Sequence, residues 1–345
     1  MTSVLYVTRE EVKNALDVRE TSRSNAKIDR IIEASSRQAE AILHRRFYPE
    51  IATRSFPWPS SVDDPGVLWL DDNELISTTS VTSAGTAIGA GSYFLEPNAY
   101  GPPYNRIEIS RAGVASFGGG YSQRDIVISG TFGYKIDETP GPVTSGALTA
   151  ADASVTTGPG FIGTGALIRI DSERMIVTGK SSVSTGQTLA SPLLAAVNGT
   201  LVGVQNGAQI SPGETILIDA EYMRVVDVAG NNLIVQRAWD GSVLAAHTAG
   251  ATLYAPRRLT VARGQLGTTA AAHADASVLQ RFVFPGPLRT FVLALTLDTM
   301  EQESTGYART TGSGNTIRDT GGRGLELATK LARTALGRFN RSAAI

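Results

Sequence analysis

Two pairs of carboxylates recur in this chain at a constant spacing, and they have the clearest potential for chemistry. Asp171 and Glu173 lie in a segment that returns, with most of its residues unchanged, around Asp219 and Glu221. Paired carboxylates act as general acid and base in catalysis, or as oxygen ligands of a hard cation such as Ca²⁺. Because a reaction rarely needs the same residues twice, and because each Asp falls at a predicted turn, the duplication favours a structural role.

The three histidines are interpreted in the same way. His247 and His273 occupy equivalent positions in a second repeated motif, which favours a hydrogen bond in a turn or cap over catalysis. His44 precedes Arg45 and Arg46 at the predicted end of a helix, where solvent and the helix dipole are its expected partners.

The sequence lacks the motifs of common catalytic and cofactor sites. With no cysteine, disulfides, thiolate zinc sites and a cysteine nucleophile are excluded. Neither a G-x-S-x-G nor an HExxH motif is present. The glycine-rich runs at 118–120 and 321–324 lack the Gly-Lys-Ser/Thr of a phosphate loop. We therefore expect a protein that is not an enzyme and needs no cofactor or metal.

Internal repetition indicates a β-rich scaffold. Ile168–Val177 and Ile216–Val225 share six of ten residues at an offset of 48, whereas Leu233–His247 matches Leu259–His273 at an offset of 26. Because the two offsets differ, a simple tandem array does not fit.

The simplest account of these offsets is one unit inserted into another. The inserted unit covers about 214–254, and the halves of the second unit lie at about 163–183 and 258–280. Apolar residues alternate with polar ones along this segment, but the alternation shifts by one residue at Asp171-Ser172 and again at Asp219-Ala220. Each change predicts a hairpin turn rather than one long strand.

Helical periodicity occurs near both ends of the chain. Residues 8–55 are predicted to be helical, with a capping box at Thr8–Glu11 and a second helix from Ser24 or Asn25. Helical spacing returns at 288–303 and 324–340. The stretch 304–324 between them, rich in Gly, Ser and Thr, predicts a long flexible loop.

Together these elements predict an α+β fold. Helical N- and C-terminal segments are expected to form a small helical base, which carries an antiparallel β-module and a nested duplicated β-insert. The predicted segments are the N-terminal helical segment (1–56), the antiparallel β-module (57–140), the nested β-repeat insert (141–284) and the C-terminal helices with a basic docking segment (285–345).

Composition narrows the classes of partner. The 345 residues include 31 basic and 32 acidic side chains, for a net charge of −1, so the chain is not a polycation that binds nucleic acid by neutralising phosphates. No apolar run approaches the roughly 18 residues of a membrane span. The N-terminus lacks the features of a signal peptide. From residue 306 onwards, however, seven basic residues accompany two acidic ones.

Several motifs resemble those of tailed-bacteriophage head-to-tail connector proteins of the siphophage type, also called adaptor or head-completion proteins. Tyr6–Val12 and Ala41–Tyr48 are similar to the start of such proteins, and Tyr93–Pro97 and Ile126–Tyr134 resemble a pattern common in phage neck proteins. The ID-x-E-x-M-x-V repeat is similar to phage virion modules. The resemblance is weakest over 283–345, and this chain is larger than the mostly helical small adaptors.

The resemblance implies a structural virion protein at the neck, assembled in the host cytoplasm. Its copies are expected to form a ring, with twelve subunits, beneath the portal. The implied partners are the portal protein, terminator, stopper or tail proteins, other copies of the chain, and double-stranded DNA passing non-specifically through the channel. No membrane is involved.

The resemblance also implies two contact surfaces. The basic segment that would dock on the portal comprises Arg323, Lys330, Arg333, Arg338, Phe339 and Arg341. The helix face expected to contact a neighbouring subunit comprises Ile28, Ile32, Ser35 and Ala39.

Two other functional classes remain open. One is a different tail or neck part, such as a terminator, stopper or decoration protein. The other is a carbohydrate-binding adhesive β-protein, which is expected to expose clustered aromatic residues, whereas the repeats contain only Trp239 and a few tyrosines. The basic C-terminal segment also has two simpler explanations, a solvated helix face or a phosphate contact.

Overall fold

The computed structural model describes residues 3–16, 24–59, 64–304, 310–311, 318–319 and 323–338. Over these residues the fold is α+β and mostly strand, with large antiparallel sheets. The four helices are α1 (Arg9–Ala15), α2 (Asn25–Leu43), α3 (Gly286–Ser304) and α4 (Arg323–Leu336). None of these helices has the length and apolar character needed to cross a membrane.

The strands are short apart from two long ones near the middle of the chain. In chain order they are β1 (Glu50–Phe56), β2 (Val67–Trp69), β3 (Leu75–Ser83), β4 (Thr86–Ile88), β5 (Tyr93–Glu96), β6 (Arg106–Ile109), β7 (Ile126–Phe132), β8 (Glu138–Val143), β9 (Ser154–Thr156), β10 (Leu167–Ile170), β11 (Glu173–Thr188), β12 (Leu201–Gly203), β13 (Thr215–Ile218), β14 (Glu221–Ala229), β15 (Asn232–Gln236), β16 (Thr252–Ala262), β17 (Val278–Phe282), β18 (Thr310–Thr311) and β19 (Arg318–Asp319).

The chain divides into two compact units. The first unit comprises residues 1–37, 138–265 and 269–329, and the second comprises 38–137, 266–268 and 330–345. The four segments expected from the sequence stay a prediction. The stretch 304–324, expected to be a flexible loop, lies largely outside the described residues.

The second unit contains two small antiparallel sheets that share one apolar core. The sheets have the strand orders β1-β7-β3-β4 and β2-β6-β5, and Leu75, Ile107 and Ile128 are among the fully buried core residues. The prediction of helix as far as residue 55 was wrong, because Glu50–Phe56 is a strand paired with β7. Its exposure alternates along the chain, the period expected of a half-buried strand.

Most strands of the first unit belong to one ten-stranded sheet. The hydrogen-bonded pairing of these strands closes on itself twice, so the sheet forms two closed cycles of strands. The outer barrel, as we name the first cycle, contains β8, β17, β10, the start of β11, the end of β16 and β9. Gly158 N donates to Val143 O at 2.9 Å, which joins the end of β9 to the end of β8 and completes the cycle.

The second cycle, named the inner barrel, is formed by the residues between the two halves of the first. It contains the end of β11, the start of β16, β13, β14, β15 and β12. Ala190 N donates to Gly203 O at 2.9 Å and completes this cycle. The two long strands β11 and β16 therefore run through both barrels as a continuous antiparallel ribbon.

Each barrel has its own apolar core. The outer core includes Ile168, Met175 and Val261, and the inner core includes Ile216 and Met223. Small barrels of this kind are filled by inward-facing side chains. The two cores explain why each repeated motif preserves its apolar positions.

The predicted hairpin turns are confirmed. β10 pairs with β11 around Asp171-Ser172, and β13 pairs with β14 around Asp219-Ala220. Asp171 and Asp219 have positive φ angles of 51° and 50°, a conformation that Asp adopts more readily than most residues.

Helix α1 begins with the predicted capping box and contacts both barrels. The Thr8 side chain accepts from Glu11 N, and the Glu11 carboxylate accepts from Thr8 N. Glu10 accepts from Thr164 N at 2.8 Å in the outer barrel, and Lys13 Nζ lies 2.7 Å from an Asp240 carboxylate oxygen in the inner barrel. This short helix is held mainly by such contacts, because seven residues form few helical hydrogen bonds of their own.

Candidate functional site

The recurring carboxylates and histidines come together in two clusters, one in each barrel. The outer cluster consists of Asp171, Glu173, Arg263 and His273. The inner cluster consists of Asp219, Glu221, Arg237 and His247. In both, the Asp occupies the hairpin turn, the Glu begins the next strand, and the Arg and His come from the segment that follows the third strand.

In the outer cluster, the fully buried Glu173 receives five hydrogen bonds. Arg263 donates from Nε at 2.7 Å and from Nη2 at 2.8 Å. The backbone amides of Gly264 and Ala271 donate at 2.9 and 3.0 Å, and His273 Nε2 lies 2.9 Å from the same carboxylate. The carboxylate thus ties the strand carrying Arg263 to the loop that leads to His273.

The inner cluster has the same set of bonds around Glu221. Arg237 donates from Nε at 2.7 Å and from Nη2 at 2.8 Å. The amides of Ala238 and Ala245 donate at 2.9 and 3.0 Å, and His247 Nε2 lies at 3.0 Å. Charge-assisted and bidentate bonds of this kind are the strongest hydrogen bonds in proteins.

The remaining guanidinium donors hold a second loop in each barrel. Arg263 Nη1 donates to the carbonyls of Thr149 and Asp152, and Arg237 Nη1 donates to those of Leu194 and Gly199. Each arginine therefore fixes the loop that precedes β9 in the outer barrel or β12 in the inner barrel.

Burial and hydrogen bonding act in opposite directions on the pKa of each glutamate, and the hydrogen bonds dominate. Removal from water raises the pKa of Glu173, whereas the bonds from Arg263, the Ala271 and Gly264 amides and His273 lower it, to about 2. Glu221 follows the same pattern, with a pKa of about 2. Both carboxylates are therefore ionised over the ordinary pH range, and neither serves as a general base poised near neutral pH.

Each histidine lies between two carboxylates. His273 Nδ1 is 2.7 Å from Asp171, and His247 Nδ1 is 2.7 Å from Asp219, while Nε2 faces the buried glutamate in both clusters. A neutral imidazole donates from only one nitrogen, so the tautomer of each ring decides which of its two carboxylates receives that bond.

These clusters can connect three segments of a barrel, but they offer little to a substrate or a metal ion. Five donors occupy the oxygens of each glutamate, and the side chains of Glu173, Glu221, His247 and His273 are almost entirely buried. Over the described residues, no group of three or more His, Asp or Glu has the arrangement of a metal site. The geometry is that of a buried structural network.

A cleft of about 240 Å³ lies between α1 and the barrels. Two lysines line it, and each has a carboxylate partner: Lys13 with Asp240 at 2.7 Å and Lys180 with Glu10 at 2.6 Å. The guanidinium of Arg224 lies over the Trp239 ring, 5.3 Å from its centroid. Internal pairing thus neutralises most of the charge in the cleft.

The residues predicted to dock on a portal are only partly described. The side chains of Arg323, Phe339 and Arg341 lie outside the described residues. On α4, Lys330 and Arg333 are exposed. Arg338 is half-buried, and its Nη1 lies 4.0 Å from Glu74.

The residues predicted to contact a neighbouring subunit are buried within the chain itself. Ile28, Ile32 and Ala39 have no exposed surface, and Ser35 is 2% exposed. Their small or apolar character therefore serves packing inside the protomer, and the face that they form is not open to another subunit.

The sequence analysis found the Asp, Glu and His of each cluster, but it did not pair the Arg that both second motifs contain, Arg237 or Arg263, with the Glu. It also missed Glu214 and Arg257, a buried pair with Nε–Oε1 and Nη2–Oε2 distances of 2.8 Å. For the two clusters, the available signal was the recurrence of Arg237 and Arg263 at the same place in the second motif, since a buried carboxylate requires a cation.

Comparison with protein-family models, with characterised proteins and with solved structures found no match to this chain.

Proposed function

We propose that this chain is a structural protein of a tailed-bacteriophage neck, without enzymatic activity. Its copies would form a ring, dodecameric in the simplest case, that joins the portal to the tail and passes double-stranded DNA. The near-neutral charge of the chain suits this role, because a strongly basic channel would bind the phosphates and slow the movement of DNA.

The observation that carries this proposal is the outward face of α4. Leu327 and Leu331, four residues apart, are 59% and 55% exposed, and the basic Lys330 and Arg333 are exposed on the same helix. Residues four apart lie on one side of a helix. An exposed apolar pair beside cations fits docking onto an acidic protein surface better than it fits a solvated helix face.

We further propose that the two barrels are nested copies of one module, carried by a base of terminal helices. The identical cluster bonds support this, as do the register shifts in the two barrels, which lie between Val177 and Gly179 and between Val225 and Asp227. The pairing of β9 and β12 extends the modules beyond the motifs noted in the sequence. The inner copy would cover about 188–256, within an outer copy of about 143–183 and 257–282. Modules held together by internal clusters suit a mechanical role.

The proposal is tested by mixing the purified chain with portal rings encoded in the same genome and measuring mass by mass photometry. We expect a complex of the portal ring with a closed ring of this chain. The double variant Lys330→Glu/Arg333→Glu should weaken this binding at least tenfold. A matched reversal of two exposed charges elsewhere, Lys135→Glu/Arg258→Glu, should leave it unchanged. Equal binding by both variants would reject α4 as the docking face.

A carbohydrate-binding role has less support. Trp239, the one tryptophan of the repeats, is 4% exposed, so it does not present the open aromatic face on which a sugar ring would stack. No described feature favours adhesion over the neck role.

A further inference from the structure

One cation in the cleft between α1 and the barrels differs from the others. Four cations line this cleft, and Arg224 is the one that forms no ion pair with a carboxylate of the described residues. The four cations and the three carboxylates that pair with them leave a net charge of +1, which belongs to Arg224. The three pairs are Arg9 with Asp29, Lys13 with Asp240 and Lys180 with Glu10.

The guanidinium of Arg224 also has few hydrogen bonds. Its buried Nε has no acceptor among the described residues, and its Nη1 lies 3.5 Å from Gln236 Oε1, which is longer than the usual range of about 2.7–3.2 Å. The Trp239 ring lies against the guanidinium, 5.3 Å from ring centroid to Cζ. Because guanidinium N–H groups lie in the plane of the group, an aromatic ring on its face leaves the edge for an acceptor. A buried donor without an acceptor is destabilising, so a ligand oxygen at this edge would stabilise the site.

The outer barrel shows that the fold does not require an arginine at this position. Arg224 pairs across strands with Thr215. At the offset of 48 residues, the corresponding pair is Ile176 with Leu167. Those two side chains are buried, with 2% and 1% of their surface exposed. The packing of a barrel therefore does not explain the arginine, which faces a cleft instead.

The size, lining and charge of the cleft indicate what it can hold. Its volume of about 240 Å³ is below the roughly 300–1,000 Å³ of pockets for drug-sized ligands, so it suits a single side chain or a small organic acid. Phe161, Tyr222 and Trp239 give it an aromatic lining, and the exposed Ser181 and Ser182 border it, so a ligand can enter from solvent. A net charge of +1 matches one carboxylate better than a phosphate monoester, which carries about −1.5 to −2.

We propose that this cleft binds one carboxylate group, held by Arg224, with an apolar or aromatic body that contacts Phe161 and Tyr222. The planar guanidinium matches the two oxygens of a carboxylate, and such charge-assisted pairs are the strong hydrogen bonds of proteins. The carboxylate belongs to a free organic acid or to an acidic side chain of another protein, which present the same group to Arg224. The site stands on the cleft alone and is independent of the neck role.

The test is a fluorine NMR titration of the full chain with 4-fluorobenzoate and with its neutral counterpart 4-fluorobenzamide. Arg224→Ile introduces the residue of the outer barrel, and Arg224→Lys keeps the charge but not the planar group. Ser182→Phe fills the cleft and keeps Arg224. The matched control is Arg46→Ile, since the side chain of Arg46 is 56% exposed and lies outside the cleft. Circular dichroism melting verifies that each variant is folded.

A ligand of about ten non-hydrogen atoms with modest contacts binds with a dissociation constant on the order of millimolar. We expect the wild type and Arg46→Ile to bind fluorobenzoate equally, Arg224→Ile and Ser182→Phe to bind it at least tenfold more weakly, and Arg224→Lys to lie between them. The proposal is overturned if folded Arg224→Ile binds fluorobenzoate like the wild type, or if fluorobenzamide binds the wild type as tightly as fluorobenzoate. Absence of binding to the wild type at about 20-fold above the expected constant would also overturn it.

A competition experiment distinguishes the two sources of the carboxylate. The blocked peptide N-acetyl-Phe-Glu-amide presents an acidic side chain next to an aromatic ring, without a free terminal carboxylate. Displacement of fluorobenzoate by this peptide at similar concentrations would assign the site to an acidic side chain of a protein. Retention of fluorobenzoate in the presence of the peptide would assign the site to a free organic acid.

Discussion

Replacing Glu221 by glutamine tests whether the buried clusters hold the barrels together. The substitution keeps the size of the side chain but removes the charge, and it places an amide NH₂ where the carboxylate accepts from donors. Arg237, 5% exposed, would lose its carboxylate partner. At least one of the five donors around the glutamate would lose its acceptor.

Two estimates give the size of the effect. A pKa lowered from 4.5 to about 2 corresponds to roughly 3 kcal/mol of preferential stabilisation of the ionised carboxylate. Breaking a buried ion pair by removing one partner costs about 3–5 kcal/mol. We therefore expect Glu221→Gln to lower the free energy of unfolding by about 3–5 kcal/mol.

The assay is equilibrium denaturation in urea, followed by circular dichroism, with two matched variants. Glu173→Gln makes the same change in the outer cluster and should cost a similar amount. Glu326→Gln changes an exposed glutamate on α4 and should stay within about 0.5 kcal/mol of the wild type. If Glu221→Gln also stays within about 0.5 kcal/mol, the cluster does not stabilise the barrel and the reasoning fails.

Three further predictions follow from the same contacts. Because the pKa of both cluster glutamates is lowered from 4.5 to about 2, their stabilisation is complete above pH 4.5 and is lost as the pH falls toward 2. The free energy of unfolding should therefore drop between pH 4.5 and pH 2, and it should drop less in the double variant Glu173→Gln/Glu221→Gln. In Gly163→Ala the new Cβ would lie 2.6 Å from Thr8 Cβ, so we expect a loss of about 1–3 kcal/mol in thermal unfolding; Gly91→Ala, with nothing within 4 Å, is the neutral control. Lys13→Met removes the ion pair with Asp240 and should lower hydrogen-exchange protection of α1 selectively, and unchanged protection would show that this pair does not hold the helix.

The local features of the fold could be predicted from the sequence, because short-range chemistry determines them. The capping box needs only Thr8 and Glu11, three residues apart. Each hairpin turn is indicated by a one-residue shift in the alternation of apolar residues, at Asp171 or at Asp219. Such signals depend on neighbouring residues and survive without knowledge of the tertiary structure.

Long-range partners were harder to predict. Glu173 and Arg263 are separated by 90 residues, and only the recurrence of both residues in the two motifs connects them. The sequence also did not reveal that β9 and β12 complete the two barrels. Leu148 and Leu193 pair with the two cluster histidines, but the loops that follow them differ in length and keep little common sequence. The two barrels therefore share the pairing of a leucine with the cluster histidine, although the sequences around Leu148 and Leu193 show little similarity.

The strand at Glu50–Phe56 was mistaken for helix for a related reason. It follows the helix α2 closely, and a seven-residue alternation is a weak signal beside nineteen residues of helical periodicity. Its partner β7 lies far along the chain, so tertiary pairing rather than local preference determines its conformation.

The proposed ring at a phage neck is tested most directly by electron microscopy of the full chain mixed with portal rings from the same genome. We expect a closed ring of this chain, seated coaxially on the portal ring. A chain that remains monomeric and leaves the portal rings bare, at concentrations well above micromolar, would contradict it.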